Sequence, residues 1–98
     1  MCLLLVVSTQ GKLKHVEGLS NAAVRKGHDV TVFFNEEAVQ LLKNPSPVEY
    51  LNAELLACRA SAVEYEITKD NMAVNARMSS LAELVEQLEG SDKVVFLG

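Results

Sequence analysis

Residues 2–8 form a continuous apolar run, Cys-Leu-Leu-Leu-Val-Val-Ser, with no alternation of polar and apolar side chains. A strand that has one face in water alternates, so such a run is typical of a strand covered on both faces, as in a parallel sheet. Residues 30–34 are rich in β-branched and aromatic residues. Residues 54–58 are apolar after Glu54, and residues 93–97 are apolar after their lysine. We interpret all four segments as strands of one sheet.

Helical spacing of apolar residues indicates helices between these strands. Residues 13–26 carry such a pattern and end at a basic turn followed by Gly27. Residues 36–43 are predicted to form a short helix with Asn35 as its N-cap. The last helix begins at Ser80, which forms a capping-box pattern with the glutamate three residues later, and Gly90 is its predicted stop.

The segment after the third strand is ambiguous in the sequence. Residues 60–67 alternate as a strand would, yet Ser61 and Glu64 have the spacing of a capping box. The surrounding order of strands and helices favours a helix here. Residues 68–79 are polar, and we expect a loop there with one helical turn at most.

Alternating strands and helices predict an α/β fold, a three-layer α/β/α sandwich around a mostly parallel sheet of four to five strands. Residues 1–98 are expected to form a single domain. Parallel strands place their carboxyl ends at one edge, where ligands bind in open α/β sheets. The residues expected at that edge are Ser8, Thr9, Asn35, Cys58 and Gly98.

Composition excludes several classes of partner. The net charge of −4 and the lack of a basic stretch with interleaved aromatic residues argue against nucleic acid. The first apolar run is too short for a signal peptide or a membrane span, so a cytoplasmic protein without a membrane partner is expected. Two cysteines and two histidines lack the spacing of a metal site, and nothing implies a cofactor. The apolar content, 49%, favours a homo-oligomer.

Cys58 is the residue on which we expect any chemistry to depend. It lies between a strand and a helix, where free backbone N–H groups favour a thiolate, and Arg59 and the amides of Ala60 and Ser61 are expected to stabilise it. A thiolate is a nucleophile or a sulfur acceptor. The alternative is a cysteine that only fills the core, because free cysteines are among the most buried residues.

Ser8 and Thr9 after the first strand and Asn35 after the second are candidate substrate-binding residues at the same edge. The stretch that begins at Ser8 contains one glycine and fits neither phosphate-loop pattern. Nucleotide binding is therefore not expected.

Several stretches together carry a likeness to a known family. They are the strand that ends in Cys58, Met78-Ser79-Ser80-Leu81-Ala82-Glu83-Leu84, the closing Ser91-Asp92-Lys93-Val94-Val95-Phe96, and Lys26-Gly27-His28-Asp29-Val30-Thr31-Val32-Phe33-Phe34. This order resembles the DsrE/DsrF-like family of small sulfur-relay proteins over nearly the whole chain. The resemblance implies an α/β/α sandwich assembled as trimers or hexamers. It also implies that Cys58 carries a persulfide and passes sulfur to a partner protein, which requires a thiolate.

The chain departs from the family pattern in three places. Some relatives have a second cysteine three residues after the first, where this chain has Ser61, and some have Arg-Gly where this chain has Tyr65-Glu66. The loop after the first strand is compact here, whereas larger members have a longer one. A single-cysteine carrier is compatible with these differences, but a dithiol oxidoreductase is not.

Our leading hypothesis is a sulfurtransferase-type carrier in which Cys58 accepts sulfur from a donor protein and donates it to an acceptor. One alternative is a non-catalytic binding or assembly subunit that acts through its oligomer surface or a pocket at the strand edge. Another is a redox sensor that forms a disulfide between the Cys58 residues of two chains, which requires Cα atoms within about 7 Å.

Overall fold

The computed structural model describes all residues, Met1–Gly98, and contains one sheet of five strands. The strands are β1 (Cys2–Val7), β2 (Asp29–Phe34), β3 (Glu54–Cys58), β4 (Ala76–Ser79) and β5 (Lys93–Leu97). Their order in the sheet is β4-β3-β2-β1-β5, and every neighbouring pair is parallel. All carboxyl ends therefore meet at one edge, as expected.

Three α-helices connect the strands: α1 (Leu13–Arg25), α2 (Arg59–Glu64) and α3 (Leu81–Gly90). Two 3₁₀ segments cover Gln10–Lys12 and Glu36–Leu42. After α1 the chain turns at Gly27, whose φ of 81° suits glycine because that residue has no Cβ. Helix α3 begins as predicted, because the Ser80 Oγ accepts a hydrogen bond from the Glu83 N–H at 3.1 Å.

The two faces of the sheet are covered unequally. Helices α1 and α2 and the segment Glu36–Leu42 pack on one face, around a core of 18 buried residues. Helix α3 alone packs on the other face through Leu84 and Leu88, over a smaller cluster of five buried residues. These five are Leu4, Val6, Phe33, Leu56 and Cys58. The Cys58 side chain therefore lies on the face that α3 covers.

The predicted α/β fold with a largely parallel sheet is confirmed, with five strands. The predicted loop 68–79 is wrong at its end, where Ala76–Ser79 form β4. This strand pairs only with β3 and lies at the sheet edge. An edge strand needs no continuous apolar run. Because exposed Arg77 and buried Ser79 make this segment polar, its sequence did not indicate a strand.

Two predicted helix starts also differ. The segment 60–67 is helical only as far as Glu64, and α2 begins at Arg59, so Ser61 lies inside the helix and does not cap it. The predicted helix 36–43 is a 3₁₀ segment, and Asn35 gives it no side-chain hydrogen bond. Glu36 has a φ of 50°, in the left-handed region, which prevents a regular α-helical first turn there. No helix has the length and apolar character needed to cross a membrane.

Candidate functional site around Cys58

Cys58 occupies the junction between β3 and α2. It is the last residue of the strand and the N-cap of the helix, with φ −61° and ψ 120°. Its side chain is 6% exposed and packs in the apolar cluster beneath α3. The thiol is free, because no disulfide is formed. A buried strand that ends at a helix start places this sulfur just below the carboxyl edge of the sheet.

An open cavity of 430 Å³ lies over Cys58 at that edge. It is bounded on one side by the β3–α2 junction and on the other by the β4–α3 junction. Val63 and Leu81 on its rim are 74% and 64% exposed. The residues that line it are Cys58, Arg59, Ala60, Val63, Ser79, Ser80 and Leu81. The buried thiol thus has an approach from solvent that is bordered by apolar side chains.

The polar wall of this cavity is contributed by β4 and α3. Ser79 is the register partner of Cys58 on the neighbouring strand, so both side chains point to the same face. Ser79 is 2% exposed, and its hydroxyl donates a hydrogen bond to Glu83 Oε1 at 2.6 Å. Glu83 also accepts from both terminal nitrogens of Arg77, and Arg77 forms a second ion pair with Glu54 at 2.7 Å. Four side chains therefore form one network beside the thiol.

The charges in this network stabilise one another. Hydrogen bonds from Arg77, and after them the one from Ser79, hold the pKa of the Glu83 carboxyl below its usual range. Hydrogen bonds to Glu83 and then to Glu54 raise the pKa of Arg77. Glu83 is consequently an anion at neutral pH, and its position is fixed from two sides.

Arg59 and Ala60, both predicted as site residues, line the cavity with Cys58. The Arg59 side chain is exposed and has no salt-bridge partner, since both ion pairs of the chain belong to Arg77. No backbone N–H of α2 donates to the Cys58 sulfur, and the helix has only six residues. Arg59 is therefore the nearest unpaired positive charge available to a group bound at the thiol.

Ser61 does not line the cavity. It is buried, and its Oγ accepts a hydrogen bond at 2.8 Å from the N–H of Glu36, the residue with left-handed backbone geometry. This contact ties α2 to the end of β2. Ser61 thus supports the helix that begins after Cys58 and does not face the open side of the thiol.

Ser8, Thr9 and Asn35 lie at the same edge of the sheet as Cys58 but outside its cavity. The Ser8 N–H donates to the carbonyl of Leu97 at 2.9 Å, and the Asn35 side-chain oxygen is buried without a partner. The Thr9 hydroxyl donates to the carboxylate of Glu37 at 2.8 Å, and the next backbone N–H does so at 3.4 Å. The donors that an anion would use after β1 are therefore already bound to the carboxylate of Glu37.

A larger cavity of 490 Å³ lies at the opposite edge of the sheet and includes Cys2, His28 and Asp29. Cys2 is exposed there, at the amino end of β1. No group of three or more His, Cys, Asp or Glu side chains is arranged to hold a metal ion. Of the two thiols, Cys58 is the one at the edge where parallel α/β sheets bind ligands.

The sequence pattern does not predict the side chains opposite Cys58, namely Ser79, Glu83 and the apolar residues of the rim. The capping pattern placed Glu83 in the first turn of α3, which the structure confirms. The pairing of Ser79 with Cys58 depends on β4, which was predicted as a loop. If β4 had been predicted as a strand paired with β3, its register would have placed Ser79 opposite Cys58.

The sequence model of the DsrE/DsrF-like family matches residues 3–97. No curated protein matches the sequence. Several solved structures are similar to this chain, and two of them illustrate the likeness. The YchN protein from E. coli is 17% identical, with a TM-score of 0.73, and the match covers 99% of this chain and 100% of that chain. MTH1491 from Methanobacterium thermoautotrophicum, described as a protein of unknown function, is 12% identical, with a TM-score of 0.74 and coverage of 97% and 96%. At these identities the likeness shows a shared fold.

Proposed function

The chain belongs to the DsrE/DsrF-like family, and from this premise we propose that it is a sulfur carrier in which Cys58 accepts and donates persulfide sulfur. One observation carries the proposal: the free thiol lies at the carboxyl edge of the sheet, beneath an open cavity. Persulfide transfer needs a thiol that a donor can reach and that is otherwise shielded from water and oxidants. A buried sulfur under an apolar rim meets both needs.

The proposed transfer is a single displacement at sulfur. The Cys58 thiolate attacks the outer sulfur of a donor persulfide, R–S–SH, and a new sulfur–sulfur bond forms as the donor bond breaks. The electron pair of the broken bond leaves on the inner sulfur of the donor as R–S⁻, and Cys58 becomes a persulfide. The reverse reaction with an acceptor thiolate regenerates Cys58. No external oxidant or reductant is consumed.

The neighbouring residues have separate parts in this proposal. Arg59 lines the cavity with an unpaired charge, which would stabilise an anionic persulfide, and Ala60 lines the wall next to it. Ser61 would act indirectly, by holding α2 against the end of β2. Ser8, Thr9 and Asn35 lie at the same edge outside the cavity and would contact only a bound protein that extends along it.

The proposal extends to partners and assembly. We propose that residues 1–98 form one domain of a cytoplasmic homo-oligomer, a trimer or hexamer, that exchanges sulfur with donor and acceptor proteins. Exposed Val63 and Leu81 at the cavity rim suit an apolar contact with such a protein. Neither a cofactor nor a metal ion is part of the proposed reaction.

The second candidate function is a non-catalytic assembly or binding subunit. The observation that favours it is the burial of Cys58, whose sulfur accepts no hydrogen bond from α2. A thiol that only fills the core reacts slowly with alkylating agents even at alkaline pH. Rapid alkylation of Cys58 near neutral pH would exclude this candidate.

Intact-mass spectrometry tests the sulfur-carrier proposal. The protein is incubated with thiosulfate and a sulfurtransferase, and a gain in mass of one sulfur atom is measured for the wild type, Cys58→Ala and Cys2→Ala. We expect the adduct in the wild type and in Cys2→Ala, the matched control that removes the exposed thiol. An adduct that persists in Cys58→Ala would overturn the assignment to this residue.

A further inference from the structure

Strand β5 is an apolar strand that the fold leaves uncovered. It lies at the end of the sheet, with β1 on one side and no strand on the other. In β1, residues 4–7 are buried, whereas β5 contains no buried residue although residues 94–97 are all apolar. A continuous apolar run is typical of a strand that is covered on both faces. β5 therefore has the sequence of an interior strand in the position of an edge strand.

Both faces of β5 are open to solvent. Phe96 is the register partner of Val6, which lies beneath α3, so Phe96 is on the α3 face, and it is 68% exposed. On the opposite face, Val95 borders an open groove of 310 Å³ together with Leu3 and Leu19. The helices on the two faces of the sheet thus leave β5 largely uncovered.

The outer side of β5 carries backbone groups without a partner. The Leu97 carbonyl accepts a hydrogen bond from the Ser8 N–H of β1 at 2.9 Å. Because the backbone groups of successive residues in a strand point to opposite sides, the N–H and C=O groups of Val94 and Phe96 point away from β1. β5 forms ladder hydrogen bonds only with β1. An apolar edge with unpaired backbone groups is a template for another strand.

The other edge of the sheet is protected against such pairing. β4 has four residues, and its exposed Arg77 forms ion pairs with Glu54 and Glu83. β5 has one charge, Lys93 at its first residue, and its register with β1 contains no bulge. Because charges, short strands and bulges block edge pairing, β4 is a poor partner for β5 of another copy. A contact between copies through β5 is therefore one in which the same surface is used twice, about a two-fold axis.

β5 is complementary to itself in an antiparallel pair centred on Val95. Val94 of one copy then lies opposite Phe96 of the other, and these two residues exchange both of their outward N–H···O=C bonds. A β-branched residue opposite an aromatic one is a favourable cross-strand pair. The two Lys93 residues lie at opposite ends of the pair, about 13 Å apart, which exceeds the Debye length of about 8 Å at physiological ionic strength. Hydrogen bonding, apolar surface and charge thus all favour a second copy of the chain.

We propose that β5 is the surface through which this chain associates with a second copy, as an antiparallel pair that joins two five-stranded sheets into one continuous sheet. A dimer or a hexamer of paired trimers contains such a two-fold contact, whereas a lone trimer does not. Of the two assemblies proposed above, the contact therefore selects the hexamer, and this step alone rests on the proposed function. Cys58 lies three strands from β5, about 14 Å, so the pairing leaves its cavity open.

A disulfide between two copies tests the register, with Val95→Cys in a Cys2→Ser parent. In the proposed pair the two new cysteines face each other at a position without backbone hydrogen bonds, where Cα atoms lie about 4.5 Å apart, within the range of a disulfide. Mild oxidation should convert most of this variant into a covalent dimer. Val74→Cys in the same parent is the matched control, because residue 74 is 97% exposed in the loop before β4, and it should stay largely uncrosslinked. No dimer from Val95→Cys, or equal dimer formation from Val74→Cys, would overturn the proposal.

Sedimentation and hydrogen exchange test the contact without a disulfide. Phe96→Lys should halve the mass of the assembly at a given protein concentration, and Val74→Lys, which adds the same charge at another exposed position, should leave it unchanged. In the wild type, the Val94 N–H should exchange about tenfold more slowly in the assembled protein than after dilution, while the Val95 N–H, which faces β1, stays protected in both. A monomeric wild type, an unchanged mass for Phe96→Lys or an unprotected Val94 N–H would overturn the proposal. Since none of these measurements uses a sulfur donor, their failure would leave the persulfide test of Cys58 unaffected.

Discussion

Replacing Glu83 by glutamine is predicted to destabilise the protein at neutral pH but not in acid. The carboxylate accepts hydrogen bonds from Arg77 and Ser79, and its backbone N–H caps α3 through Ser80. Glutamine keeps the shape and the capping N–H but loses the charge. The variant therefore isolates what the ionised carboxylate contributes to joining α3 to β4.

The expected magnitude follows from the exposure of the pair. The side chains of Arg77 and Glu83 are 52% and 25% exposed, so water screens their attraction, and such pairs contribute about 0.2–1 kcal/mol. The hydrogen bond from buried Ser79 is shielded better and contributes about 1.5–3 kcal/mol when its acceptor is charged. Because glutamine retains part of both contacts, we expect a loss of about 1 kcal/mol in the free energy of unfolding at pH 7.

The sign of the pH dependence follows from the pKa of Glu83, which Arg77 and Ser79 hold below its usual range. Such a group stabilises the fold above the ordinary carboxyl pKa of about 4.3, and this contribution is lost as the pH falls through the lower pKa of the folded state. Urea unfolding at fixed protein concentration would measure this contribution to the free energy of unfolding at pH 7 and at pH 3. Glu54→Gln is the control variant. If Glu83→Gln differs from the wild type by the same free energy at both pH values, the ionised carboxylate does not stabilise the fold.

Three further predictions concern the support and the opening of the site. Ser61→Ala should lower the free energy of unfolding by about 1–2 kcal/mol in urea, because the Glu36 N–H would lose its acceptor. Leu56→Ala removes a fully buried side chain beneath α3 and should cost about 2–5 kcal/mol in thermal unfolding, whereas Val63→Ala at an exposed position should stay within about 0.5 kcal/mol. Arg59→Gln should slow the loading of Cys58 from a small anionic persulfide donor about fivefold at low salt and leave the urea midpoint unchanged, and a rate equal to that of the wild type would exclude a role for this charge.

The buried strands and the position of Cys58 could be predicted because they depend on local patterns. Segment 54–58 is apolar after Glu54 and is followed at once by a helix, and the structure gives β3 these same limits. Alternation between strands and helices was enough to predict a parallel sheet, which in turn placed the carboxyl ends at one edge. Such features require no knowledge of which strand neighbours which.

The features that escaped prediction depend on register and on distant partners. Ser79 lies opposite Cys58 because β4 pairs with β3, a relation between segments about twenty residues apart that no local pattern encodes. Likewise, Thr9 was a candidate for substrate binding, and its hydroxyl is engaged by Glu37, which follows a different strand. Contacts between side chains of different strands can be predicted only when the order and register of the strands in the sheet are known.

If Cys58 is the sulfur carrier, sulfur is loaded on the buried thiol and not on the exposed one. Peptide mapping of the wild-type protein, after incubation with less than one equivalent of persulfide donor and capture of all thiols, measures the share carried by each cysteine. Cys58 is 6% exposed and Cys2 is exposed, so unselective chemistry would label Cys2. We expect the added sulfur almost entirely on the Cys58 peptide. Loading mainly on Cys2, or equally on both, would contradict this expectation.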